Sequence, residues 1–117
     1  MPRAGRSLER IIALIERQLH GRQGVKIESP SFRRDVDSGN AREFDVVITF
    51  AHDHHALTVA VECKDQSAKV DSAVVGAFSE KCNTAGIHSG VIVSSSGFTR
   101  PALIKAEKKC TAHRRPT

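Results

Sequence analysis

Residues 44–64 read Phe-Asp-Val-Val-Ile-Thr-Phe-Ala-His-Asp-His-His-Ala-Leu-Thr-Val-Ala-Val-Glu-Cys-Lys. Phe44 to Phe50 and Ala56 to Lys64 are rich in β-branched and aromatic residues, and the polar run Ala51 to His55 separates them, so the segment is expected to form a hairpin. Side chains alternate between the faces of a strand. Val59, Val61 and Cys63 therefore share one face of the second strand, and Ala60, Glu62 and Lys64 share the other. An acid and a lysine end up side by side at the C-terminal end of an otherwise apolar strand. That placement is costly unless the pair is solvated or functional. If the turn centres between Asp53 and His54, Asp45 lies directly opposite Glu62 on the same face. Two opposed carboxylates repel each other, and a cation bridging them removes the repulsion. A slip of one residue would send Asp45 to the other face.

Outward from the hairpin, Ser7 can cap a helix with an apolar stripe of Leu8, Ile11, Ile12, Ile15 and Leu19, and Gly21 would stop it. Val25 to Ile27 begins a short strand that Ser29-Pro30 interrupts, and Arg33 to Arg42 reads as a polar loop. After the hairpin, Lys69 to Ala85 reads as a helix with Val70, Ala73, Val74, Ala77, Phe78 and Lys81 at helical spacing, ended by Gly86. Gly90 to Ser94 is a wholly apolar strand of the kind buried on both faces. Thr99 can cap a last helix with Pro101 in its first turn and Ala102, Leu103 and Ala106 along one side. The expected order is α-β-β-β-α-β-α, an α/β fold with a mixed central sheet flanked by helices.

The chain has 117 residues and a net charge of +5, with 18 Lys and Arg against 13 Asp and Glu. One domain over 1–117 is expected, with 1–6 and 109–117 as flexible basic ends. The charge suits a polyanionic partner such as nucleic acid, although a basic surface alone is also common among proteins that bind none. Cys63, Cys82 and Cys110 form no CxxC pair, which argues against structural zinc and against a disulfide framework and fits a cytoplasmic protein. No apolar run approaches the ~20 residues that span a bilayer, so no membrane association is expected. Trp and Tyr are absent, so stacking of bases on aromatic platforms is a poor primary mode.

Asp45 followed by Glu62-Cys63-Lys64 resembles the D…ExK signature of PD-(D/E)xK nucleases. Gly90-Val91-Ile92-Val93-Ser94-Ser95-Ser96-Gly97-Phe98-Thr99, with Ala102 and Ala106 beyond it, is similar to Mrr-type restriction endonuclease domains. The opening Gly5-Arg6-Ser7-Leu8-Glu9-Arg10 resembles the start of the same group and of archaeal Holliday-junction resolvases. The likeness spans roughly residues 5 to 108. It implies a restriction-endonuclease-like core, with Asp45 and Glu62 as ligands of Mg²⁺ (Mn²⁺ substituting) and Lys64 positioning the attacking water or steadying phosphate charge. Glu9 resembles the accessory acid that reaches the metal, with Glu16 as the fallback. DNA is the implied substrate, a homodimer the implied assembly, and no nucleotide cofactor is expected. The proline that precedes the signature's aspartate is Phe44 here; Glu62 stands where Mrr-type domains often carry Gln.

Each feature has a plainer reading. Glu62 and Lys64 can form an ion pair on a solvated face. Asp45 can be satisfied by its own loop, and Glu9 can be a first-turn acid favoured by the helix dipole. His52, Asp53, His54 and His55 read as a solvated turn rather than a metal cluster. Gln66 and Lys69 follow the active strand, and Ser94, Ser95 and Ser96 precede a helix N-terminus with Thr99 and Arg100. These are candidate phosphate contacts or ordinary connections. Cys63 is expected in the core, and the tail residues Lys108, Lys109, Arg114 and Arg115 are candidate non-specific phosphate contacts. Two rivals to the nuclease stand: an inactive nucleic-acid-binding module of the same fold, and an α/β protein whose acids are surface ion pairs.

Overall fold

The computed structural model describes residues 6–108 and 112–114. In chain order the elements are α1 (Arg6–Leu19), β1 (Val25–Glu28), β2 (Ser31–Arg34), β3 (Ala41–Phe44), β4 (Val46–His52), β5 (His55–Lys64), α2 (Ser72–Thr84), β6 (Ser89–Ser94), α3 (Arg100–Lys108) and β7 (Ala112–Arg114). Five strands form one sheet in the order β1-β4-β5-β6-β7, and β2 and β3 form a separate two-stranded ribbon. β1, β4 and β5 pair antiparallel, whereas β6 runs parallel to both β5 and β7. The sheet is mixed, as expected, because α2 returns the chain from the end of β5 to the start of a parallel neighbour.

The β4–β5 hairpin decides the register. His52 pairs with His55 across a two-residue turn in which Asp53 takes a φ of 55°, and the ladder runs without a slip to Val46 opposite Val61. The apolar side chains near the site end of the hairpin then divide between two cores, while Leu57 near the turn stays exposed. Val46, Ile48, Val61, Cys63 and Val93 form one core, covered by Leu8, Ile11, Ile12, Ile15 and Leu19 of α1. Phe44, Val47, Ala60, Val75, Phe78, Cys82, Ile92, Ala102 and Ala106 belong to a second core beneath α2 and α3. The sheet therefore lies between helices on both faces. A Cβ added at Gly90 would stand 2.6 Å from the Phe78 ring and 3.1 Å from Cys82 Sγ. Glycine is what lets α2 approach β6 so closely.

Five expectations need correction. The polar stretch from Arg33 to Arg42 is not one loop, since its ends belong to β2 and β3 and only the middle turns. That ribbon escapes an apolar alternation rule because polar contacts hold it. Arg33 pairs with Glu28 at 2.7 Å, and Arg42 with Asp35 at 2.8 Å. α2 starts at Ser72 rather than Lys69, where the Asp71 carboxylate accepts the Val74 N–H as its cap. Its buried row is Val75, Phe78 and Cys82, while Ala73 and Ala77 face solvent. Within the tail, Ala112–Arg114 forms β7 against β6 instead of fraying; the remainder of both basic ends, residues 1–5, 109–111 and 115–117, lies outside the described residues. The Thr99 hydroxyl accepts the Ala102 N–H at the start of α3, as expected, but α1 begins at Arg6, so Ser7 lies inside its first turn and does not cap it.

Candidate active site

The C-terminal end of β5 opens into a cleft of about 630 Å³. Asp45, Glu62, Cys63, Lys64, Asp65 and Gln66 line it, with Leu8 of α1 on one side and Ser29, Pro30 and Glu43 on the other. Asp45 occupies the one-residue bend between β3 and β4, a position beyond the last pair of the β4–β5 ladder. There its Oδ2 accepts the Cys63 N–H at 2.8 Å, which brings the carboxylate across to β5 beside Glu62. The register thus puts the two acids together as the sequence suggested.

Glu62 is the less comfortable of the two. Its side chain is 17% exposed, and Oε1 is buried without a hydrogen-bond partner among the described residues. Burial pushes its carboxyl above the usual range, and the Asp45 charge adds to the effect. Lys81 and Lys64 oppose the shift. Lys64 Nζ lies 3.9 Å from Oε2 and Lys81 Nζ 4.0 Å from Oε1, both too long for hydrogen bonds. A buried carboxylate oxygen with a second carboxylate nearby is a donor set suited to a hard divalent cation.

Asp65, the residue after Lys64, fixes α1 to this end of the sheet. It accepts the Ser7 N–H at 3.1 Å and the Ser7 hydroxyl at 3.0 Å. The Ser7 N–H is the chief reason its carboxyl titrates below the usual range, followed by the Ser95 hydroxyl.

The remaining candidates divide. Glu9 and Glu16 are exposed and do not line the cleft, because the apolar stripe that seats α1 turns Leu8, not Glu9, toward it. Among the described residues no group of three or more His, Cys, Asp or Glu is disposed around a common metal position. Gln66 lines the cleft, and its carbonyl accepts the hydroxyls of Ser95, at 3.4 Å, and Ser96. Those two serines therefore tie the β6–α3 turn to the β5–α2 loop. The buried Ser94 hydroxyl accepts the N–H groups of Ser96 and Gly97 within the same turn. Lys69 and Arg100 are exposed, and Thr99 caps α3. The histidines of the β4–β5 turn lie at the opposite end of the hairpin from Glu62. Cys63 is buried in the α1-side core.

Lys81 is the residue the sequence reading missed as part of the site. It projects from α2, 16% exposed, toward Glu62. The signal was present: Lys81 follows the buried Phe78 by three residues and precedes the buried Cys82, so an ammonium occupies the sheet-facing side of a helix.

These features describe an α/β protein with a restriction-endonuclease-like core and an acidic, lysine-bearing cleft at the end of its central hairpin. The restriction endonuclease family matches residues 5–112, and the chain belongs to that family. No curated protein matches it. Solved structures that share the fold include the following two. A protein of unknown function, AF1548, is 14% identical with a TM-score of 0.73, the match covering 93% of this chain and 56% of that one. The MspJI restriction endonuclease in complex with a 27-mer oligonucleotide is 13% identical with a TM-score of 0.52, covering 98% of this chain and 30% of that one. The chain thus spans about half the length of the first of these structures and less than a third of the second. Among the described residues no helix is long and apolar enough to cross a membrane.

Proposed function

We propose that the protein is a Mg²⁺-dependent endonuclease that hydrolyses DNA phosphodiester bonds, with Mn²⁺ able to substitute. The observation that carries the reading is the buried, unpartnered Oε1 of Glu62, set beside Asp45 in a cleft that Lys64 borders. Asp45 and Glu62 would hold the cation, which prefers a few carboxylate oxygens and keeps much of its water. When bound, it would supply Lewis-acid polarisation of a phosphate oxygen and a more acidic water. Lys64, 32% exposed at the rim, is placed to orient the attacking water or to balance phosphate charge as it develops. Asp65 keeps the α1 wall of the cleft in place through Ser7. Glu9 is not needed in this arrangement.

Cutting both strands of a duplex or a junction requires two such sites, which favours a homodimer. Supercoiled plasmid and a synthetic four-way junction, incubated with Mg²⁺, Mn²⁺ or EDTA, test the proposal. Metal-dependent cutting is expected from the wild type and not from Asp45→Ala or Lys64→Ala. DNA retention in a gel shift without cutting under any metal would replace the enzyme with an inactive binding module. The substrate that is preferred separates a restriction-like role from a junction-resolving one.

A further inference from the structure

Lys81 has no part in the chemistry proposed above, yet its surroundings are specialised. Its Nζ donates to the Glu43 carbonyl, sits 4.3 Å from the centroid of the Phe44 ring and lies 4.0 Å from Glu62 Oε1. Each contact comes from a different place: Glu43 and Phe44 from β3, Glu62 from β5, and the lysine itself from α2. An ammonium only 16% exposed is costly unless a negative group compensates it, and the ring face and carbonyl carry only partial charge. Glu62 is the carboxylate that supplies the full charge. The two lysines of the site also differ. Lys64 stands at the open rim, whereas Lys81 is not among the residues lining the cleft and approaches Glu62 from behind.

We propose that Lys81 is the built-in counter-ion of Glu62, a positioning residue whose fixed ammonium compensates the buried carboxylate when no divalent cation is present and opposes tight cation binding when one arrives. The tethers to β3 prevent Lys81 from withdrawing, so both charges act on the same carboxylate. An ammonium this close weakens a cation's hold through Coulomb repulsion, moderated by the effective dielectric of a partly buried site. The cost falls on affinity; the benefit is a site that stays assembled between turnovers.

The test compares wild type, Glu62→Gln, Lys81→Met and the double variant by thermal unfolding in EDTA. Methionine keeps an unbranched stem over Phe44 and removes the charge. Lys81→Met is expected to lower Tm in the Glu62 background and to lower it much less in the Glu62→Gln background. An equal loss in both backgrounds would mean that Lys81 only staples α2 to β3, and would overturn the proposal. Titration with Mn²⁺, followed by electron paramagnetic resonance, gives a second readout. Lys81→Met, or Lys81→Gln if the first variant folds poorly, should bind Mn²⁺ about three- to tenfold more tightly than wild type. Unchanged or weaker binding would also overturn it. The affinity readout rests on the metal-dependent reading; the stability cycle does not. Absence of Mn²⁺ binding by every variant would sink the nuclease proposal and leave the cycle to decide the role of Lys81.

Discussion

Asp35 and Glu62 are both carboxylates withdrawn from water, and the fold treats them in opposite ways. Asp35 lies in the turn of the β2–β3 ribbon, 5% exposed. Its oxygens accept the N–H groups of Asp37 and Ser38, the Arg42 guanidinium at 2.8 Å and the Thr84 hydroxyl at 3.0 Å. The neighbouring Val36 N–H donates to the Thr84 carbonyl, so this network fastens the ribbon to the end of α2. The Ser38 N–H, with Arg42 and the other donors, outweighs burial and holds the carboxyl at about 2. Glu62 has two ammoniums beyond hydrogen-bonding distance, a carboxylate as neighbour, and one oxygen with no hydrogen bond. A satisfied buried acid strengthens a fold, and an unsatisfied one costs stability. Asp35 is satisfied by donors within the fold, whereas Glu62 keeps one unbonded oxygen beside Asp45, the feature on which the proposed cation site rests.

The largest contrast is expected in cleavage. Neutralising the site should cost about 100- to 1,000-fold in cutting rate, as loss of a group that stabilises transition-state charge commonly does. Glu62→Gln and Lys64→Ala should both show it in a plasmid-nicking assay with Mg²⁺. Asp35→Asn, compared per folded molecule, should cut at close to the wild-type rate. Equal loss in Asp35→Asn would mean that the ribbon, and not only the acid pair, belongs to the catalytic apparatus.

Stability should reverse the order. Asp35→Asn leaves Arg42 without its counter-ion and weakens the tie to α2, so Tm should fall by several degrees at neutral pH. The dependence on pH has a definite sign. The folded carboxyl titrates at about 2 and the ordinary value is 3.8, so its contribution is complete above pH ~4 and is lost as pH falls toward 2. Unfolding followed by circular dichroism between pH 5 and 2, a range set by that linkage, should show a shallower acid limb in Asp35→Asn. An unchanged limb would place the acid sensitivity of the fold elsewhere.

How much of this contrast was legible beforehand depends on what carries each position. The acid pair was legible because it rests on period-two alternation and the centre of one turn, both written in residues 44–64. The Asp35 network was not, because its partners Arg42 and Thr84 stand 7 and 49 residues away and pair through charge and hydrogen bonds rather than apolar spacing. The β2–β3 ribbon was hidden for the same reason. β7 was hidden because Ala112, His113 and Arg114 have no strand-like alternation and join the sheet beside Val91 to Val93 of β6. Lys81 had a visible signal, a cation in an apolar helical row, but only the folded sheet shows that the row ends over Glu62.

The smallest expected effect is the most discriminating. If Glu62 is kept ionised at a cost, its neutral isostere should stabilise the metal-free protein. Burial and Asp45 raise the folded carboxyl above its ordinary 4.5, so the folded state holds the proton more tightly than the unfolded chain does. Stability conferred by that proton is present at low pH and is lost as pH rises past the ordinary value and through the folded one. At neutral pH in EDTA, Glu62→Gln should therefore raise stability by about 1 kcal/mol, the lower end of what an unsatisfied buried polar group costs. Mg²⁺ should then narrow the gap by stabilising wild type and not the variant, since a ligand that binds only the native state shifts unfolding by mass action. A Glu62→Gln protein less stable than wild type in EDTA would show that the two lysines already satisfy the carboxylate. The contrast with Asp35 would then fail, Lys81 would be a full counter-ion of Glu62 in the metal-free protein, and Mn²⁺ binding alone would decide the cation site.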